Sequence, residues 1–219
     1  MSLSKFTAGA SLAFLGGVGI VKIARGRQYD NENLEIIRRL EIAILAVASG
    51  QYVISFNMPR SRLQSWRYVD WLITTPLLLK TFHLLAVEKG FQGSFTPALS
   101  ANLVMIFCGY AAEHPSRVNK NTGISDANFK ALNYGISSAA LLIIFYYVNK
   151  WNRFLQDAGV DTGRLPLFFY YGWSAYAATF LIPAEEMGEI RQSTFNVLDA
   201  INKGFFSLEL DAVIARGNF

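Results

Sequence analysis

Arg67-Tyr68-Val69-Asp70-Trp71-Leu72-Ile73-Thr74-Thr75-Pro76-Leu77-Leu78-Leu79 sets an arginine and an aspartate at the head of an apolar run. A second run, STFNVLDAINKGFFSLEL at 193–210, carries Asp199 and Lys203 in its interior. Such charges cost about 2.5–3.5 kcal/mol each near the middle of a bilayer on insertion scales, so they persist only when paired or when they work. Asp199 and Lys203 are four residues apart, and Arg67, Asp70 and Thr74 follow at three and four, so each set shares one helix face. If the two faces meet, two cations meet two carboxylates and the charges cancel. One reading is an ion-pair network that only fixes helix packing. The other is a functional site, the default for ionisable groups inside a membrane.

The rest of the chain agrees with a membrane setting. Of its 219 residues 52% are apolar and 16% charged, against about 45–50% and about 25% in soluble domains. A single cysteine excludes a disulfide scaffold, and with two histidines it argues against a metal site. The net charge of +4 does not point to nucleic acid, because the basic residues sit in short breaks between apolar runs rather than on one face. Seven runs reach the roughly 17–25 residues that a span requires: 6–24, 40–57, 68–87, 95–112, 131–148, 165–184 and 193–215. They leave room for no second domain, so residues 1–219 are expected to form one all-α membrane domain, a bundle of seven transmembrane helices. The first run is longer than a signal-peptide core and is followed by Lys22, Arg25 and Arg27, a stop-transfer pattern, so it is expected to be retained.

Loop charges give an orientation. With the N-terminus outside and the C-terminus inside, the inner segments carry Lys22, Arg25, Arg27, Arg38, Arg39, Lys80, Lys89, Lys150, Arg153, Arg164 and Arg216. The outer ones carry Lys5, Arg60, Arg62, Arg117, Lys120, Lys130 and Arg191. His83 and His114, at helix ends, read as surface residues, and Cys108 as a buried small residue.

The string in the third span, Asp199 four residues before Lys203, Trp173-Ser174-Ala175-Tyr176 in the sixth span and Ser137 after Tyr134-Gly135-Ile136 in the fifth together resemble the microbial (type 1) rhodopsins, the bacteriorhodopsin-like retinal proteins. The resemblance covers the whole chain. It implies retinal as cofactor, joined to Lys203 as a protonated Schiff base. It also implies Asp70 as primary counterion and proton acceptor, Asp199 as the second carboxylate, Arg67 as their outer balancing charge and Thr74 as a hydrogen-bond donor to the Asp70 carboxylate. Trp71 and Trp173 are similar to the two indoles that sandwich the polyene. Tyr176 and Tyr52 are similar to the phenols that bind the seventh-span aspartate. Thr75, Leu78, Met105, Gly109, Tyr134, Ser137 and Phe180 are expected to line the remaining walls, with Asn202 beside the lysine. Taken singly these aromatics would read as helix packing; it is the shared pattern that makes them a pocket.

The departures from the family bear on function. Thr81 stands three turns inward of Asp70, where pumps carry a carboxylic donor, and Ala177 replaces the proline after Tyr176. Of the outer release carboxylates Glu185 and Glu186 are present, but Arg191 occupies the position that would complete the pair. Glu41 lies eleven residues before Tyr52, about three turns, and is read as the substitute donor or gate. Its bland alternative is a surface pair with Arg38 or Arg39, and Glu209 is the runner-up as donor. A compact chain with this glutamate is similar to the virus-encoded branch of the family. The expected function is a light-driven outward proton pump, not an enzyme. A light-gated cation channel, suggested by Asn102, Asn202 and Glu41, is the alternative, and a photosensor is a third reading. The partners implied are the lipid bilayer, protons or other cations as cargo, and further copies of the chain in a symmetric trimer or pentamer.

Overall fold

A computed structural model describes residues 2–25, 29, 31–56, 58–120, 122–217 and 219, without the side chains of 60, 61 and 184–186. Asn57, which closes the second expected span, and Arg27 therefore lie outside the described residues, as do the side chains of Arg60, Glu185 and Glu186. Seven long helical spans run through the described residues: α1 (Leu3–Ala24), α2 (Glu32–Ser55), α3 (Arg60–Glu88), α4 (Thr96–Glu113), α5 (Asp126–Asp157), α6 (165–179) and α7 (184–216, kinked at Met187). The connection between α2 and α3 is short, whereas that between α4 and α5 holds a single helical turn, Pro115–Val118.

Local chemistry sets the helix ends. Ser2, Asn31 and Ser125 cap α1, α2 and α5 by accepting from the backbone N–H of Lys5, of Asn33 and Leu34, and of Asn128. The helix α3 begins at Arg60 rather than near Tyr68, and α5 runs on to Asp157. Hydropathy marks only the apolar middle of a span, while the helix continues into polar residues at both ends. The opposite happens at α6, which stops at Thr179. Pro183 keeps the residue before it out of helical geometry and itself caps α7. Pro76 lies inside α3 and removes one bond of its ladder.

Two spans contain π-helical turns, Phe168–Trp173 in α6 and Ala200–Phe205 in α7. Such turns are rare and cluster at functional sites. The one in α6 supplies an irregularity that the absence of proline at Ala177 did not predict. The two spans approach closely there: a Cβ on Gly172 would sit 1.8 Å from Asn202 Oδ1. On the far side of α7, a Cβ on Gly204 would meet the Phe14 ring of α1 at 2.3 Å.

Polarity is inverted relative to a soluble protein. Arg67, Asp70, Asp199 and Lys203 are 0–3% exposed, whereas Ile20, Phe107 and Leu142 are 59–68% exposed. Around the buried charges lies an apolar core, with Leu79, Phe82, Trp151, Phe169, Phe206 and Leu210 in its largest part. His83 belongs to that core rather than the surface. It is 4% exposed, packs edge-on against Trp151 and bonds the Gly93 carbonyl. His114 is only half-buried and meets Ser65 Oγ at 3.1 Å. Cys108 is half-buried too.

Candidate functional site

The charged faces of α3 and α7 meet. Lys203, in the π turn of α7, donates from Nζ to Asp70 Oδ2 and lies 3.3 Å from Asp199 Oδ1. Arg67 donates from Nη1 to Asp199 Oδ2 at 2.6 Å and from Nη2 to Asn196 Oδ1 at 2.8 Å. The two carboxylates are nevertheless held differently. Asp199 also accepts from Tyr176 at 2.6 Å, Tyr52 at 3.0 Å and Trp71 Nε1 at 3.3 Å. Asp70 keeps one oxygen, Oδ1, with no hydrogen-bond partner among the described residues. The sequence paired Thr74 with that carboxylate, but its hydroxyl instead donates to the Asp70 backbone carbonyl at 3.0 Å. A threonine in a helix always has a carbonyl one turn back within reach, and here that acceptor wins.

A cavity of about 370 Å³ opens beside this cluster, between α3, α4, α5 and α6. Of the residues expected in the pocket, Trp71, Thr75, Leu78, Met105, Gly109, Tyr134, Ser137, Trp173, Tyr176, Phe180, Asn202 and Lys203 line it. Tyr52 does not: its ring packs with residues of α1 and α2, and its hydroxyl donates to Asp199. Tyr68, Ile106, Ser138, Leu141, Ala177, Ala178 and Leu181 complete the wall and were not foreseen. Helical spacing was the signal available for two of them: Leu141 follows Ser137 by four, and Ala177 follows Trp173 by four. Asn102 lies outside this wall. It is fully buried and exchanges hydrogen bonds with Thr75 at 3.0–3.1 Å, tying α3 to α4.

Buried opposite charges, a largely apolar cavity and a lysine in its wall form a set that can be compared with known proteins. The family described as bacteriorhodopsin-like protein matches residues 2–215. The chain belongs to that family. It is 31% identical over 165 residues to a bacteriorhodopsin of Halobacterium halobium (strain port), covering 71% of this chain and 75% of that one. Among solved structures, halorhodopsin, a light-driven chloride pump, superposes with a TM-score of 0.78 at 21% identity, covering 95% of this chain and 93% of that one. The viral rhodopsin OLPVRII gives 0.75 at 23%, with 98% of each covered. These likenesses show the fold. This bacteriorhodopsin-like protein is thus an integral multi-pass membrane protein of light-driven ion transport, and retinal, held on a lysine as a Schiff base, is the cofactor of its family. The residues present fit that group. The cavity volume falls in the roughly 300–1,000 Å³ of small-molecule sites, its walls are mostly apolar, and Lys203 lines it together with both indoles.

Beyond Lys203, away from Arg67, the bacteriorhodopsin-like bundle holds Glu41 with its side chain 2% exposed. Glu41 is not paired with Arg38 or Arg39, both of which bind Glu35 at 2.8–2.9 Å. Its Oε1 accepts from Ser207 Oγ at 2.9 Å and its Oε2 lies 3.0 Å from Lys22 Nζ. Lys22, counted with the inner surface charges from sequence, is buried. Thr81 is fully buried and donates to the Leu78 carbonyl at 2.7 Å. Glu209 turns away from the interior, toward Arg216 and the backbone N–H of Arg164. On the Arg67 side, Arg191 bonds Glu113 at 2.6 Å, and Tyr134 donates to the same carboxylate at 2.5 Å. Glu113 was not singled out from sequence. It ends α4 and looks like an ordinary terminal charge until the fold brings α7 against it.

Proposed function

We propose that this protein is a light-driven outward proton pump in which Lys203 carries the retinal and the N-terminus lies outside. The observation that carries the reading is the inequality of the two carboxylates beside Lys203. A proton placed on Asp199 has to displace one of the donors Arg67, Tyr52, Tyr176 or Trp71. Asp70 faces Nζ with one oxygen, and its other oxygen has no hydrogen-bond partner among the described residues, so it accepts a proton at the loss of a single contact. When bound, retinal supplies a light-absorbing cation on Nζ whose change of shape alters where the N–H points. The chain's own groups move the proton. Asp70 takes it from Nζ, while Arg67 and Asp199 hold their charges together on the outer side. A replacement comes from the other side, where Thr81 has nothing to ionise and Glu41 touches Ser207, one turn along α7 from Lys203. The excess of positive charge in the inner loops supports the direction. A symmetric trimer or pentamer belongs to the same proposal and rests on the resemblance to the family.

Illumination of a cell suspension expressing the protein should acidify the medium, and a protonophore should abolish the change. The Lys203→Ala protein, with no visible band, serves as the control. Alkalisation, or no change, would overturn the reading. A light-gated cation channel is the second reading, favoured by the file of polar groups at Asn202, Ser207, Glu41 and Lys22 that continues inward from the lysine. Voltage clamp separates the two, because a channel current reverses with voltage and a pump current keeps its sign over the usual range.

A further inference from the structure

Lys22 sits in the last turn of α1, and its ammonium joins three spans. Nζ lies 2.7 Å from Asp211 Oδ2 of α7, 3.0 Å from Glu41 Oε2 of α2, and donates to the Ser207 carbonyl at 3.3 Å. Lys22 and Glu41 are 5% and 2% exposed at their side chains, whereas Asp211 is 29% exposed. The cluster therefore has a closed end at Glu41 and a partly open end at Asp211. Asp199, Lys203, Ser207 and Asp211 follow one another at intervals of four along α7, so this cluster continues the stripe that bears the lysine.

As ordinary ions, one ammonium and two carboxylates leave a negative charge uncompensated in a largely buried place, which is strongly disfavoured; one proton makes the cluster neutral. The geometry indicates where that proton resides. The ammonium is nearer to Asp211, and Glu41 is the more completely removed from water, so ionisation costs more there. Ser207 Oγ, which can accept as well as donate, is placed to bond a protonated Glu41.

We propose that Asp211 and Lys22 keep Glu41 in its proton-bearing form: Asp211 engages the ammonium, Glu41 holds the proton, and Asp211 is the point where its replacement enters. The purpose of this device rests on the pump reading above; the charge states do not. Glu41 gives its proton toward Lys203 and becomes a carboxylate, and the three N–H groups of Lys22 then serve both carboxylates. A proton from the medium binds Asp211, passes to Glu41 and restores the neutral cluster, one in for one out. Lys22 is thus a positioning residue that acts through the two carboxyls.

The test is light-minus-dark infrared spectroscopy with flash photolysis on the full-length pigment in lipid vesicles. The carbonyl stretch of protonated Glu41 is identified by its loss in Glu41→Gln. Asp211→Asn frees Lys22 to pair with Glu41, so it should erase that band although Glu41 is intact, and slow recovery of the protonated lysine nitrogen by about 100-fold, the lower end for positioned proton transfer. Adding Lys22→Met to Asp211→Asn should bring back the band, which a merely structural cluster would not do, while recovery stays slow because the entry carboxyl is still missing. If either variant fails to form pigment, Asp211→Ser and Lys22→Gln replace them. A band that survives Asp211→Asn, or one that is lost and not restored by the second substitution, overturns the proposal. A band that follows this pattern upholds it even if no pigment acidifies the medium, an outcome that would count against the pump reading alone.

Discussion

Asp70 and Asp199 carry the same side chain in one cluster, and their hydrogen bonds make them unequal. Asp70→Asn removes the acceptor nearest Nζ, so the visible band should move to the red and early deprotonation of the lysine nitrogen should vanish, while Lys203 keeps Asp199 as an ion-pair partner. Asp199→Asn strips Arg67 of its carboxylate inside the bundle, and breaking a buried pair in this way costs about 3–5 kcal/mol. Thermal bleaching should therefore fall well below the parent for Asp199→Asn and much less for Asp70→Asn. Equal losses would mean that the two carboxylates are interchangeable. At this scale spacing placed Asp70, Asp199 and Lys203 on facing stripes, because four-residue intervals fix a helix face. It did not place Thr74, whose hydroxyl had two acceptors in reach, nor Lys22, whose long stem permits either burial or escape to the surface.

Where α6 and α7 touch, both are π-helical, and Gly172 lies directly against Asn202. A methyl group on Gly172 would overlap the amide, and overpacking of this kind costs about 1–3 kcal/mol. Gly172→Ala should lower the bleaching temperature and disturb the band, since Trp173 is the next residue in the cavity wall. Adding Asn202→Ala should recover most of the loss, and a double variant no better than the single one would refute the contact. The ends of α4 and α7 are joined by Glu113 and Arg191, both largely buried. Glu113→Gln leaves the guanidinium without its charge partner and should cost about 3–5 kcal/mol, whereas replacing both residues by Leu and Met should cost far less. Differential scanning of the three pigments measures this. Neither contact was legible beforehand, because hydropathy locates a span but not the depth or rotation at which two spans meet. Pro183 was legible in principle: its effect on the residue before it is local, and it explains why α6 stops at Thr179.

Among the described residues only α1 and α5 hold an 18-residue stretch that is both strongly apolar and carries at most two charged side chains. The other spans carry polar groups that the bundle turns inward onto one another, and the lipid-facing side is made of residues such as Phe107 and Leu142. Leu142→Arg, on the outer face near the middle of α5, should therefore cost about 2.5–3.5 kcal/mol of insertion free energy, where the same change on a soluble surface would be nearly neutral. The membrane-inserted fraction in a translation assay reports it, and an unchanged fraction would mean that α5 does not face lipid there.

The sequence by itself determined the class of molecule, the seven spans in order, the lysine with its two carboxylates and most of the pocket wall. The spans and the paired charges follow from helical period and from the cost of charge in hydrocarbon, both of which act along the chain, whereas the pocket wall was implied by the resemblance to the family. Only the tertiary structure decided which oxygen each donor reaches, that Asp199 is crowded with donors while Asp70 is not, that Glu41 meets Lys22 and Ser207 rather than Arg38 or Arg39, and that Arg191 has Glu113. Each of these joins residues from different spans, and their distances depend on the relative rotation and depth of whole helices, which no local pattern encodes.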